Sequence, residues 1–137
     1  MQQRSLILIC AAAALLSACT AASLDMHKSL KRGEVVYTKE CAQCHGPAGQ
    51  GGGPASLGLG LAPPSLTELT QRNDGAFPRE FVRRYVMGSL EKEDTTSPMP
   101  EFATEGLRHV YPNGGADGEV LEADFEALLH YLNSIQI

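Results

Sequence analysis

The five residues Cys41-Ala42-Gln43-Cys44-His45 constrain this chain more than any other stretch in it. Two thiols three positions apart, with an imidazole directly after the second, read as an attachment site for c-type haem. Cys41 and Cys44 can form thioethers to the porphyrin vinyl groups, and His45 then lies where it can ligate the iron from one side. Haem iron takes two axial ligands, and His with Met is one standard set, which raises the reduction potential. A chain built around such a site must supply an apolar pocket and a second ligand from elsewhere.

The length of 137 residues predicts a single domain large enough for a real core. Trp is absent and aromatic residues are sparse, a deficit that a large apolar cofactor would fill. The N-terminus carries a secretory pattern: Arg4, an apolar run from Leu6 to Leu16, then small residues. That run falls short of the roughly 20 residues a membrane span needs. Leu16-Ser17-Ala18-Cys19 resembles the bacterial lipobox, which implies cleavage before Cys19 and lipidation of its thiol. Thr20, where an Asp would favour inner-membrane retention, points to the outer membrane by the same resemblance. The expected division is a signal peptide over 1–18, a tether over 19–28 and a folded domain over 29–137. The stretch of about eleven residues from Cys19 to Leu30 reaches at most roughly 40 Å when fully extended. Without residues 1–18, ten bases remain against sixteen acids, a net charge near −6. Nucleic acid needs a basic face, so this balance argues against it. Cysteine use also closes: Cys10 leaves with the signal, Cys19 takes lipid, and Cys41 and Cys44 take haem. No thiol is left for a structural disulfide, although the compartment would permit one.

Within the domain, Leu30, Gly33, Tyr37 and Cys41 step by three, four and four, which predicts one face of a helix with Ser29 as its N-cap. A glycine inside a helix costs about 1 kcal/mol relative to Ala, so Gly33 predicts close approach by another element. Leu121, Phe125, Leu128, Leu132 and Ile135 form a second stripe, which predicts a final helix over 121–135 with Tyr131 one turn after Ala127. Gly33 and Tyr37 ahead of Cys41, with Leu128 and Tyr131 on the last helix, resemble the class I cytochrome c family. The resemblance covers about residues 30–136. It implies an all-α fold of three to five helices wrapped around one covalently bound haem, with the N- and C-terminal helices crossing at right angles where the glycine lets them touch.

Between these helices, Gly46 to Pro54 is rich in glycine and lacks the Lys-Ser/Thr of a phosphate-binding loop. It reads as the loop wrapping the proximal haem face, with Leu57, Leu59 and Leu61 available to pack on the porphyrin or in the core. Ala62-Pro63-Pro64-Ser65-Leu66-Thr67 resembles the family segment in which a proline carbonyl accepts a hydrogen bond from the ligating imidazole. Such bonds orient a metal-bound histidine and tune its basicity; Pro63 and Pro64 are equal candidates. Thr67 is expected to cap a short helix running to about Arg72. Asn73-Asp74-Gly75 predicts a turn. Pro78 then opens a third helix with Phe81, Val82, Tyr85 and Val86 as its apolar face and Gly88 at its end. Arg79, Arg83 and Arg84 are expected on a solvated outer face rather than in a docking patch.

Met99 lies in Ser97-Pro98-Met99-Pro100-Glu101-Phe102, and prolines on both sides restrict its backbone. The stretch resembles the family's Met-Pro-x-Phe motif, which implies Met99 as the distal iron ligand. Met87 reads as core packing and Met26 as tether, while His27, His109 and His130 lack a comparable setting. From Ala103 to Glu119 there is no clear periodicity, and Tyr111 to Gly115 is a strong turn signal. A loop this long is uncommon in a compact domain, and covering the distal edge, docking a partner and neutral growth are all open to it.

The expected function is a one-electron carrier with a single covalent haem c, His45 and Met99 as iron ligands, and no catalytic residues. Its expected setting is the periplasmic side of a membrane, held by lipid on Cys19, between a redox donor and an acceptor protein of a respiratory chain. The alternative is the haem c subunit of a periplasmic or membrane-bound oxidoreductase. A peroxidase or gas sensor would need an open iron position. A thiol-disulfide enzyme would need a βαβ pattern that is lacking. Zinc held by Cys41, Cys44 and His45 would need a distant fourth ligand.

Overall fold

The computed structural model describes residues 22–88, 90, 99, 102, 106, 107, 110 and 118–137, with side chains of the last segment from 122 onward. No strand occurs among the described residues. Helix α1 covers 22–36 and runs into a π turn over Tyr37–Cys41, then α2 over Ala42–His45. Helix α3 covers Arg79–Met87 and α4 covers Gly118–Ser134, with short 3₁₀ turns at Pro54–Gly58 and Gln71–Asn73 between. This is the all-α arrangement expected from the sequence.

Gly33 sets how closely α1 and α4 approach. A Cβ on Gly33 would lie 2.0 Å from the Ala127 carbonyl oxygen and 2.8 Å from the Tyr131 Cβ. No side chain fits there, so the glycine buys a backbone contact that outweighs its low helix propensity. One turn on, the Tyr37 and Tyr131 rings sit 5.2 Å apart at a tilt of 40°. Around them Val36, Phe125, Leu128 and Leu129 are buried, each contributing about 2 kcal/mol by leaving water. Polar contacts flank this core. Ser29 Oγ and His130 Nδ1 share a hydrogen bond of 2.7 Å. The Arg32 guanidinium pairs with Oδ1 of Asp124, whose carboxylate is buried and whose Oδ2 has no hydrogen-bond partner among the described residues.

Several local expectations change. Ser29 is not the N-cap of α1: the helix already runs from 22, so much of the stretch read as tether is helical. The stripe from Leu30 through Tyr37 does not continue to Cys41 in α-helical phase, because the Ala42 amide bonds the Tyr37 carbonyl, five residues back. Thr67 caps no helix; it is buried, its Oγ1 lies 3.1 Å from Ser65 Oγ, and the chain forms only the 3₁₀ turn at Gln71–Asn73. Pro78 precedes α3 as its cap residue, and Gly88 ends the helix in a left-handed conformation with φ of 74°.

On α3, Val82 and Val86 are buried, whereas Phe81 is exposed and stacks on Tyr85 at 5.9 Å. The arginines are not simply solvated. Arg79 pairs with Glu126, and Arg83 pairs with Glu122 and, at 2.8 Å, with Glu126. Two arginines four residues apart on α3 face two glutamates four residues apart on α4. These half-exposed pairs each add about 1 kcal/mol or less, and they fix the relative rotation of the two helices more than they stabilise them.

Candidate functional site

Cys41 ends the π turn and Cys44 lies three positions on, in the helical turn Ala42–His45. Both are partly buried free thiols. Burial, with the Glu40 carboxylate beside it, pushes the Cys41 thiol up to about 12. A thiol so far from ionising is a poor nucleophile for disulfide exchange at neutral pH.

His45 is buried, and its Nδ1 lies 3.1 Å from the Pro64 carbonyl oxygen. Pro64 therefore makes the contact that the sequence left open between Pro63 and Pro64. Burial lowers the imidazole's proton affinity, with the Pro64 carbonyl acting in the opposite direction. The neutral ring with its proton on Nδ1 donates to that carbonyl and keeps the Nε2 lone pair available for a metal.

The glycine-rich loop holds Pro64 in position. Gly46 takes φ of 75°, and a Cβ on it would meet the Gly51 carbonyl oxygen at 2.3 Å. The chain thus turns back on α2. Gly51 N–H donates to the His45 carbonyl at 2.8 Å, and Gly53 N–H donates to that of Cys44 at 3.1 Å. Tyr37 donates its hydroxyl proton to the Gly46 carbonyl at 2.6 Å. Leu66 N–H then donates to the Gly49 carbonyl at 2.7 Å, closing the loop two residues after Pro64. The last residues clamp it from outside. Gln136 donates from Nε2 to the Leu66 and Leu132 carbonyls at 2.8 and 2.6 Å, and its Oε1 accepts from the Thr70 amide at 2.9 Å. Nothing in the periodicity marks Gln136 for this part. The matched Arg79/Arg83 and Glu122/Glu126 spacings were a legible signal of their pairing.

Past the loop, the turn at Pro54–Gly58 packs on α2. Leu57 and Leu61 are 86 % and 71 % exposed, so neither belongs to the protein core. Two free thiols at the ends of one short helical stretch, a neutral imidazole held through Nδ1 and the leucine-bearing turn packed on α2 suit a covalently attached porphyrin. Met99 is partly buried and packs against the core, as does Met87. Met26 and His27 are exposed on α1, and His130 is engaged by Ser29. Cys19, Pro98, Pro100 and His109 lie outside the described residues. Among the described residues, no three His, Cys, Asp or Glu side chains are grouped to hold a metal ion.

A family model described as cytochrome c matches residues 30–136, nearly the whole described chain. The chain belongs to the cytochrome c family. Comparisons with curated proteins and with solved structures returned no match. As a family member, this cytochrome binds one haem c covalently and exchanges electrons with redox protein partners. The match spans both the helix bearing Gly33 and the helix bearing Tyr131, so the family assignment and the observed helix contact concern the same segments.

Proposed function

We propose that this cytochrome is a monohaem one-electron carrier whose iron is ligated by His45 and Met99, with Cys41 and Cys44 as the thioether attachments. Bound haem supplies the one-electron iron couple. The observation that carries the reading is the His45 Nδ1 contact to the Pro64 carbonyl. It fixes the tautomer with Nε2 free and limits rotation of the ring, so the ligand keeps one geometry in both oxidation states. Met99, partly buried against the core, offers a neutral thioether that favours the ferrous state. With both axial positions taken by protein side chains, no site would remain for substrate, and bound haem would serve for electron transfer alone.

The test is the oxidised optical spectrum. The wild type should show the weak far-red sulfur-to-iron charge-transfer band, and Met99→Ala should lose it while retaining covalent haem. A band that survives Met99→Ala would falsify the ligand assignment.

The reading extends to location. Lipid on Cys19 would hold the cytochrome on the periplasmic side of a membrane, the outer one by the residue at position 20. Helix α1 is already formed at 22, and Ser29 on it is bonded to His130 of α4. That helical stretch rises only about 10 Å, much less than an extended tether would reach. So short a spacer favours transfer to a neighbouring complex, and it supports the second reading, a haem c subunit of a periplasmic or membrane-bound oxidoreductase. Cys19→Ser should move the holoprotein from the membrane to the soluble fraction; unchanged fractionation would end the anchor proposal.

A further inference from the structure

The segment after Met99 is attached to the domain at three described points. Phe102 is buried and meets Phe125 edge-on at 6.2 Å. Leu107 is buried in the same core. The third point is polar: Val110 N–H donates to Glu40 Oε1 at 2.8 Å, across 70 positions of sequence. Glu40 lies on the π turn, directly before Cys41. One residue therefore borders the first haem-bearing thiol and also ties down the segment that carries the second ligand.

The three attachments differ in kind. Apolar contacts at Phe102 and Leu107 set depth but tolerate sliding, because burial is non-directional. A hydrogen bond to a carboxylate is directional and fixes register. The π turn matters for its position. In an unbroken α-helix Glu40 would stack over Val36 and Tyr37, the stripe buried against α4. The extra residue per turn displaces it from that stripe, and it stands half-buried, within reach of Val110. Such π insertions are frequent at functional sites.

We propose that Glu40 is a positioning residue for the distal ligand, acting through Val110 to keep the Met99 segment seated and Met99 on the iron. The inference rests on the reading of Met99 as ligand. Loss of the latch raises the population in which Met99 has left the iron, and an added ligand then binds more tightly in proportion to that population.

The experiment titrates imidazole into the ferric holoprotein of wild type, Glu40→Ala, Glu40→Asp and Glu40→Gln, following the far-red band. Asp keeps the charge but is one methylene too short; Gln keeps the reach and an acceptor oxygen but loses the charge. Imidazole should bind roughly tenfold more tightly to the Ala and Asp variants, the scale of one charge-assisted hydrogen bond. Glu40→Gln should stay within about threefold of wild type, since a neutral hydrogen bond retains much of the tie. Should Glu40→Ala fail to fold, the Asp and Gln pair carries the test alone. Equal affinity in wild type and Glu40→Asp would overturn the inference, and so would Gln matching Ala, which would assign the effect to charge. A wild type without the far-red band would instead overturn the Met99 assignment beneath it.

Discussion

His45 and Met99 sit in segments held by different means. Around His45 the backbone carries the structure: the Gly51, Gly53 and Leu66 amides, the Tyr37 hydroxyl and the Gln136 side chain all end on main-chain carbonyls. Around Met99 the described attachments include the buried Phe102 and Leu107, the packing of Met99 and Val110 on the core, and the Val110 hydrogen bond to Glu40. A histidine whose ring rotation matters gains from a rigid directional frame. A thioether on a flexible side chain needs fewer fixed points: a depth set by burial and a register set by a carboxylate hydrogen bond. The two sides should therefore respond differently to substitution, the Met99 side losing ligation and the His45 side losing stability with ligation intact.

The largest effect expected from that contrast is at Phe102. Phe102→Ala empties a buried aromatic site and should cost about 3–5 kcal/mol in denaturant unfolding of the holoprotein. It should also weaken the far-red band in the fully folded protein at low denaturant. A band of full strength alongside that destabilisation would mean that Met99 does not depend on its following segment.

Tyr37→Phe examines the other side with a smaller change. Removing the hydroxyl that donates to Gly46 should cost about 1 kcal/mol at neutral pH, leaving the band intact. Burial above all, with the neighbouring Tyr131 acting the same way, pushes the Tyr37 phenol up from 10.0. The unfolded chain therefore loses this proton before the folded one. The contribution is complete below pH 10 and declines as pH rises from there through the raised folded-state value. Wild-type stability should fall across that window more steeply than that of Tyr37→Phe. Parallel curves would show that Tyr37 ionises equally easily in both states.

Much of the His45 side was readable before the fold was known, because its residues are specialised types. Two cysteines and a histidine in sequence have few joint uses, and a glycine at position 33 of a helix asks for a neighbour, which proved to be the Ala127 carbonyl. The choice between Pro63 and Pro64 was not readable, since either carbonyl is plausible until the Leu66 amide closes the loop on Gly49. The π turn has no sequence signature, as it depends on which carbonyl the Ala42 amide selects. Ser29 looked like a cap because its hydroxyl suits one; its partner is His130, 101 positions away. Glu40, Asp124 and Gln136 were invisible for the same reason, since each acts on a distant partner that only the helix contact brings near.

The most direct measurement is X-ray absorption at the iron of oxidised holoprotein, wild type and Met99→Ala. One sulfur bound to iron in the wild type and none in Met99→Ala is the expected result. Iron without sulfur in the wild type, or sulfur that persists in Met99→Ala, would contradict a site closed by His45 and Met99.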